Sequence, residues 1–154
     1  ELLMRPQGRF VEDFVGADRA LKRLALQRVR DVDLWKAPLV QVGEPVADAR
    51  AKAADSEVPF PLLIDPDGRP LGWLSERGLT GERVEHDLRS GPEPRIELDD
   101  VLRDALSDLL QEEAQYAPVV DERGSVVGVL SIEVLAHALQ TNPDEVPSGA
   151  DAAA

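Results

Sequence analysis

The stretch Tyr116–Leu135, YAPVVDERGSVVGVLSIEVL, has an earlier counterpart in Pro59–Leu79, PFPLLIDPDGRPLGWLSERGL. Each reads as an apolar strand, a polar turn, a second apolar strand, and a serine at the entrance of a helix. Both turns place Asp first and Gly fourth. The carboxylate can accept local backbone N–H groups, and glycine tolerates a left-handed backbone. The match extends well beyond the hairpin. At a constant offset of 56 residues, Pro38 falls on Pro94, Asp48 on Asp104, Ala49 on Ala105 and Asp65 on Asp121. The same offset brings Gly68 to Gly124, Gly72 to Gly128, Ser75 to Ser131 and Leu79 to Leu135, with no gap between Pro38 and Leu79. A repeat of this length with its glycines in register predicts two copies of one unit packed together.

Each copy opens with a short strand, Pro38–Val42 or Pro94–Leu98, and continues into a helix. In the second copy Val101, Leu102, Ala105, Leu106, Leu109 and Leu110 recur at helical spacing. Asp99 and Asp100 stand at the start of that helix. There they are expected to cap it and complement its dipole rather than to act as a catalytic pair. The hairpin follows, then a final helix, short in the first copy and running from Ile132 to Leu139 in the second. The expected fold is therefore α/β of the α+β kind, with tandem β-α-β-β-α repeats and a pseudo-twofold axis, preceded by a helical linker. The expected boundaries are a linker at 1–31, a first unit at 32–83, a second at 84–140, and a disordered acidic tail at 141–154. Residues 80–93, TGERVEHDLRSGPE, are rich in turn-formers and charge and read as the connection between units.

The linker carries its own pattern. Phe10, Val11, Phe14 and Val15 form one apolar stripe, Gly16 ends it, and Asp18 is expected to cap a second helix. Leu21, Leu24 and Leu26 then need a surface to pack on. The chain begins at Glu1 and reads as a piece of a longer protein.

Composition narrows the function. The 154 residues are 43% hydrophobic, enough for a packed core. With no cysteine, disulfides and thiolate metal sites are excluded. No apolar run approaches the roughly 20 residues of a membrane-spanning helix, and the N-terminal residues lack the apolar core of a signal peptide. The net charge of −13 is uneven. Residues 1–36 carry 8 Lys/Arg and 6 Asp/Glu, a net of +2, which leaves −15 on the remainder. So acidic a body repels phosphate backbones and anionic membranes, so nucleic acid and direct membrane docking are disfavoured.

Catalytic signatures are missing. No phosphate-binding glycine loop or nucleophile elbow is found in the sequence, and its two histidines, His86 and His137, are far apart. His137 reads as a packed or surface residue, and Trp35 and Trp73 as structural. Asp65 and Asp67 suggest a calcium loop, but the later ligand positions are missing. The expectation is a chain with no catalytic residues, no metal and no resident cofactor.

The repeated unit ending in Gly72-Trp-Leu-Ser75 and Gly128-Val-Leu-Ser131 resembles a cystathionine-β-synthase (CBS) domain, and two in tandem resemble a Bateman module. The segment Asp13–Leu24, DFVGADRALKRL, resembles the end of the ATPase subunit of osmoregulatory glycine betaine/proline ABC importers. The resemblance covers roughly Glu1 to Leu139. It implies a regulatory module that senses a nucleotide such as cyclic di-AMP, or ionic strength, to control transport. The alternative is a ligand-free dimerisation module of the same subunit. It further implies a homodimer through the CBS units and partnership with an ATPase domain and a membrane permease. The corresponding location is the cytoplasm, peripheral to the inner face of the cell membrane.

CBS pairs that hold adenosine ligands use a G-x-x-[ST]-x-x-D pattern, in which the hydroxyl meets phosphate at a helix start and the Asp holds ribose. Gly72 with Ser75 and Gly128 with Ser131 keep its first part; Gly78 and Val134 stand where the Asp would be. The two serines read equally as helix caps. Tyr116 stands where Phe60 stands in the first copy. It reads as either a base-stacking aromatic or a core aromatic. The expected ligand-binding set is Tyr116, Ala117, Val129, Ser131, Phe60 and Ser75, with Arg95 and Arg123 the nearest basic residues in sequence.

Overall fold

A computed structural model of the chain describes residues 18–140. The stripe from Phe10 to Val15, Gly16 and the tail 141–154 lie outside the described residues. Helix α1 covers residues 18–25. The first repeat contributes β1 (Leu39–Val40), α2 (Val46–Ala54), β2 (Leu62–Ile64), β3 (Pro70–Leu74) and a short 3-10 helix, Glu76–Leu79. Strand β4 (Leu88–Ser90) follows. The second repeat contributes β5 (Ile96–Glu97), α3 (Leu102–Gln111), β6 (Tyr116–Val120), β7 (Val126–Ser131) and α4 (Ile132–Gln140). One sheet runs β1-β2-β3-β4 and the other β5-β6-β7.

The offset of 56 holds in the ladders. Val40 pairs in parallel with Leu63, and Ile96 with Val119. Leu63 opposes Gly72, and Val119 opposes Gly128. Both ladders then shift register one step further on, after Leu63 and after Val119. The turns repeat as well. The Asp65 Oδ1 accepts from the N–H groups of Asp67 and Arg69, and the Asp121 Oδ1 from those of Arg123 and Ser125. Gly68 and Gly124 sit at φ +86° and +87°, a left-handed backbone that glycine adopts without a steric penalty. Asp65 and Asp67 are thus turn residues. Among the described residues no group of three or more His, Asp or Glu side chains is placed to hold a metal.

Three apolar clusters hold the described residues together. Val40, Ala49, Leu63, Leu74 and Val84 fill the first repeat. Ile96, Leu102, Leu109 and Leu130 fill the second, together with Leu24 and Val29 from the linker. Val58, Leu62, Trp73, Val120, Val126 and Val129 form the seam between the repeats. Full burial of such side chains contributes about 1.5–3 kcal/mol each. The two hairpin turns add polar contacts across the seam. The Ser125 hydroxyl donates to the Asp67 carbonyl, and the Val126 N–H donates to the Gly68 carbonyl.

The segment ahead of each repeat joins the sheet of the other. Trp35, ahead of the first, exchanges backbone hydrogen bonds of 2.9 and 3.0 Å with Val129 of β7. Strand β4, ahead of the second, pairs with β3 of the first sheet. Residues 80–93 are therefore not a plain connection, and 84–90 do not open the second unit's fold. Val84 and Leu88 pack into the first repeat's core, and their apolar spacing is diluted by Arg, Glu and Asp neighbours. Trp35, Leu24 and Val29 likewise pack on the second repeat's side.

Other expectations are corrected. Val101, not Asp99 or Asp100, is the N-cap of α3, and it makes no side-chain cap. Asp100 instead accepts from the Glu97 N–H, closing a turn. Asp99 takes the Arg30 guanidinium at 2.7 Å, and that hydrogen bond holds its carboxyl below the ordinary aspartate range. Asp18 is itself helical and pairs with Lys22. Of Leu21, Leu24 and Leu26 only Leu24 is buried, at 1% exposure, whereas Leu26 is 86% exposed. Leu110, expected on the apolar face of α3, is 63% exposed. No helix among the described residues is long and apolar enough to cross a membrane.

Candidate functional site

Phe60 and Tyr116 are counterparts under the repeat, and they meet across the pseudo-twofold axis. Their ring centres lie 5.7 Å apart, edge to face at 83°. Trp73 stands 5.5 Å from Phe60 and 6.3 Å from Tyr116, and Trp35 stands 6.1 Å from Tyr116. Such spacings stabilise aromatic clusters and leave flat faces at the edges. The local sequence explains the convergence. Tyr116 opens β6, Phe60 lies just ahead of β2, and Trp73 lies on β3 against Leu62. Trp35 is fixed by its bridge to Val129.

Tyr116, Phe60 and Trp73 line a cavity of about 340 Å³ with Arg89 and Ser90 of β4. An adjoining cavity of about 650 Å³ shares Pro59, Phe60 and Arg89 and reaches Arg50, Glu76 and Leu79. Ligand sites commonly have volumes of roughly 300–1,000 Å³. The Arg89 guanidinium lies 4.2 Å from the Phe60 ring centre, a cation–π contact. Another cavity, of about 930 Å³, shares Glu57 with the adjoining one and is lined by Asp31, Asp33, Trp35, Glu133 and His137 among others.

The expected residues divide between these surroundings. Tyr116 and Phe60 are half-buried beside the cavity. Ala117 and Val129 are fully buried. The Val129 backbone is engaged by Trp35, and its side chain lies in the seam. Ser131 is 1% exposed, and its hydroxyl accepts from the Val134 N–H at 3.0 Å. The Ser75 hydroxyl accepts from the Gly78 N–H and donates to the Asp87 carboxylate at 2.6 Å. Both serines therefore cap the turn that follows, and each capped N–H belongs to the residue standing where the pattern has Asp. Gly78 is closed over as well, since a Cβ there would meet the Glu85 carbonyl at 3.0 Å. Trp35, Trp73 and Arg89 were not expected at the site. The two tryptophans read as core. Arg89 sits in the presumed connection, where no period-2 pattern is long enough to reveal a three-residue strand.

Comparison with known proteins matches the fold. The CBS-domain family model matches residues 87–141. The osmoprotectant import ATP-binding protein OsmV of Salmonella typhimurium is 32% identical over 148 residues, covering 92% of this chain and 37% of that protein. The glycine betaine/carnitine/choline transport ATP-binding protein OpuCA of Bacillus subtilis is 23% identical over 136 residues, covering 85% and 36%. The chain thus spans little more than a third of the curated relatives it matches. Among solved structures, CBSX2 in complex with AMP superposes with a TM-score of 0.58 at 23% identity, covering 72% of this chain and 94% of that one. The fold and the repeat agree with these findings: residues 87–141 belong to the CBS-domain family, the chain folds as a pair of such units, and its sequence is similar to the ATP-binding subunits of osmoprotectant importers.

Proposed function

We propose that this chain is the regulatory module of an osmolyte importer's ATP-binding subunit, and that it acts by binding an adenine nucleotide rather than by catalysis. Phe60, Trp73 and Tyr116, clustered beside a ligand-sized cavity with Arg89 over Phe60, are the observation that carries the reading. A purine stacks on such rings for roughly 1–3 kcal/mol per base. The AMP held by CBSX2 supports adenine as the base. Cyclic di-AMP, AMP and ATP are the candidate ligands. Tyr116 and Phe60 hold the base, while Ala117, Val129, Ser131 and Ser75 do not line the cavity and serve the packing and caps behind it. In this reading the partners are the ATPase domain and the membrane permease, on the cytoplasmic face of the membrane. Calorimetric titration tests it: micromolar binding of one nucleotide that weakens at least tenfold in Tyr116→Ala is expected, and absence of binding rejects it.

A second reading, homodimerisation, is favoured by the exposed Leu110 of α3 and Ile132 of α4, at 63% and 38% exposure on two helices that lie against each other. A dimer of bodies this acidic tightens as salt screens their repulsion over about 8–10 Å. Sedimentation at low and high salt checks that; a dimer constant indifferent to salt removes ionic-strength sensing.

A further inference from the structure

Arg89 is a cation without an ionic partner among the described residues. Its neighbours differ: Arg50 is engaged by the Leu79 carbonyl and Glu76, and Arg77 stands 3.9 Å from Asp87. Arg89 lies where β4 shifts register, between Ser90 opposite Trp73 and Leu88 opposite Leu74. The irregularity places it as an extra residue at the wall shared by both cavities on this side. A guanidinium fixed over a ring, with its donors free, suits a phosphate.

The duplicated cleft has no such group. Leu34 meets Gly128 as Leu88 meets Gly72, so the segment 31–35, DVDLW, takes the place of β4 there, and it contains no basic residue. Glu133 stands at the counterpart of Arg77. Asp31, Asp33, Glu57 and Glu133 all line that cleft, which repels an anion. On the Arg89 side, Glu57, Glu76, Glu93, Glu112 and Glu113 border the two cavities as well, and Arg50, the other cation there, is engaged by Glu76. One cation without an ionic partner among these carboxylates accommodates one phosphate group and opposes further ones.

We infer that Arg89 reads a single phosphate, so that each chain takes one nucleotide, at the β4 cleft, and prefers a monophosphate to both the nucleoside and the triphosphate. The inference rests on the nucleotide reading above. The test is calorimetry with adenosine, AMP and ATP, without divalent cations, on the chain and on Arg89→Gln and Arg89→Lys. Expected are about one site per chain, AMP roughly 10–100-fold tighter than adenosine as for a charge-assisted contact, and ATP weaker than AMP. Arg89→Gln brings AMP down to the adenosine level while adenosine binding persists, which also shows that the cleft is intact; Arg89→Lys keeps part of the preference. Equal affinities for AMP and adenosine, ATP as the tightest ligand, or two sites per chain overturn the inference and leave the nucleotide reading standing. Failure of all three ligands to bind overturns both.

Discussion

Replacing Gly72 by Ala tests the exchange of strands between the repeats. Gly72 lies on β3 with φ +152°, a backbone that residues with a Cβ rarely adopt. An added Cβ would also lie 2.6 Å from the Ser90 carbonyl oxygen and 2.7 Å from Leu88 Cδ1. The first of these is backbone and cannot rotate away, so β4 must move. A disfavoured backbone costs roughly 1–3 kcal/mol and overpacking roughly 1–3. The expected loss is therefore about 3–5 kcal/mol, a large share of a domain's usual 5–15. Gly128→Ala is the matched control. Its Cβ would meet Leu34 Cβ at 2.9 Å and Leu34 Cδ1 at 3.0 Å, without a left-handed backbone. Its cost should be about 1–2 kcal/mol. Urea unfolding at constant m-value measures both. Because β4 carries Arg89, Gly72→Ala should also weaken AMP more than adenosine. A loss below about 1 kcal/mol, or a larger loss for Gly128→Ala, would refute the reasoning.

Leu24→Ala should cost about 2–4 kcal/mol by urea unfolding, because the side chain is sealed in the second repeat's core although it precedes the first; Leu26→Ala should cost almost nothing. Ser131→Ala should lower stability by about 0.5–2 kcal/mol through the lost cap on Val134 and leave AMP affinity unchanged; a selective loss of AMP binding would return the serine to the ligand. The clip between Arg30 and Asp99 should loosen in acid. The Asp99 pKa is depressed in the fold, so its contribution is present above the ordinary aspartate pKa and disappears as pH falls through the depressed value. The protection of the Val29 and Arg30 amides, which bond to Asp100 and Leu98, taken relative to the intrinsic exchange rate at each pH, should fall there in the parent and stay flat in Asp99→Asn.

The repeat was legible because its signals are local. Gly68, Gly124 and the paired aspartates act within their own turns, and the offset of 56 carries them into matching ladders. The pairing of Phe60 with Tyr116 was legible as equivalence but not as contact, since only the packing of one unit on the other brings the rings together. Strand β4 was hidden because three residues with one apolar side chain carry almost no periodic signal. Its partner, β3, lies in the other repeat, because the segment ahead of each repeat joins the sheet of the other. Arg89 went unseen for the same reason, and Arg95 and Arg123 looked nearer on sequence distance alone. Asp99 and Asp100 misled because a carboxylate ahead of a helix can satisfy a guanidinium or a turn instead of the helix end.

Both tryptophans of the chain, Trp35 and Trp73, adjoin Tyr116, so their fluorescence reports directly on the cleft. Titrating AMP and cyclic di-AMP while following that emission tests nucleotide binding most directly. A saturable change at micromolar ligand, absent in Tyr116→Ala, is the predicted result. Emission that stays unchanged into the millimolar range, with no calorimetric heat, would contradict it.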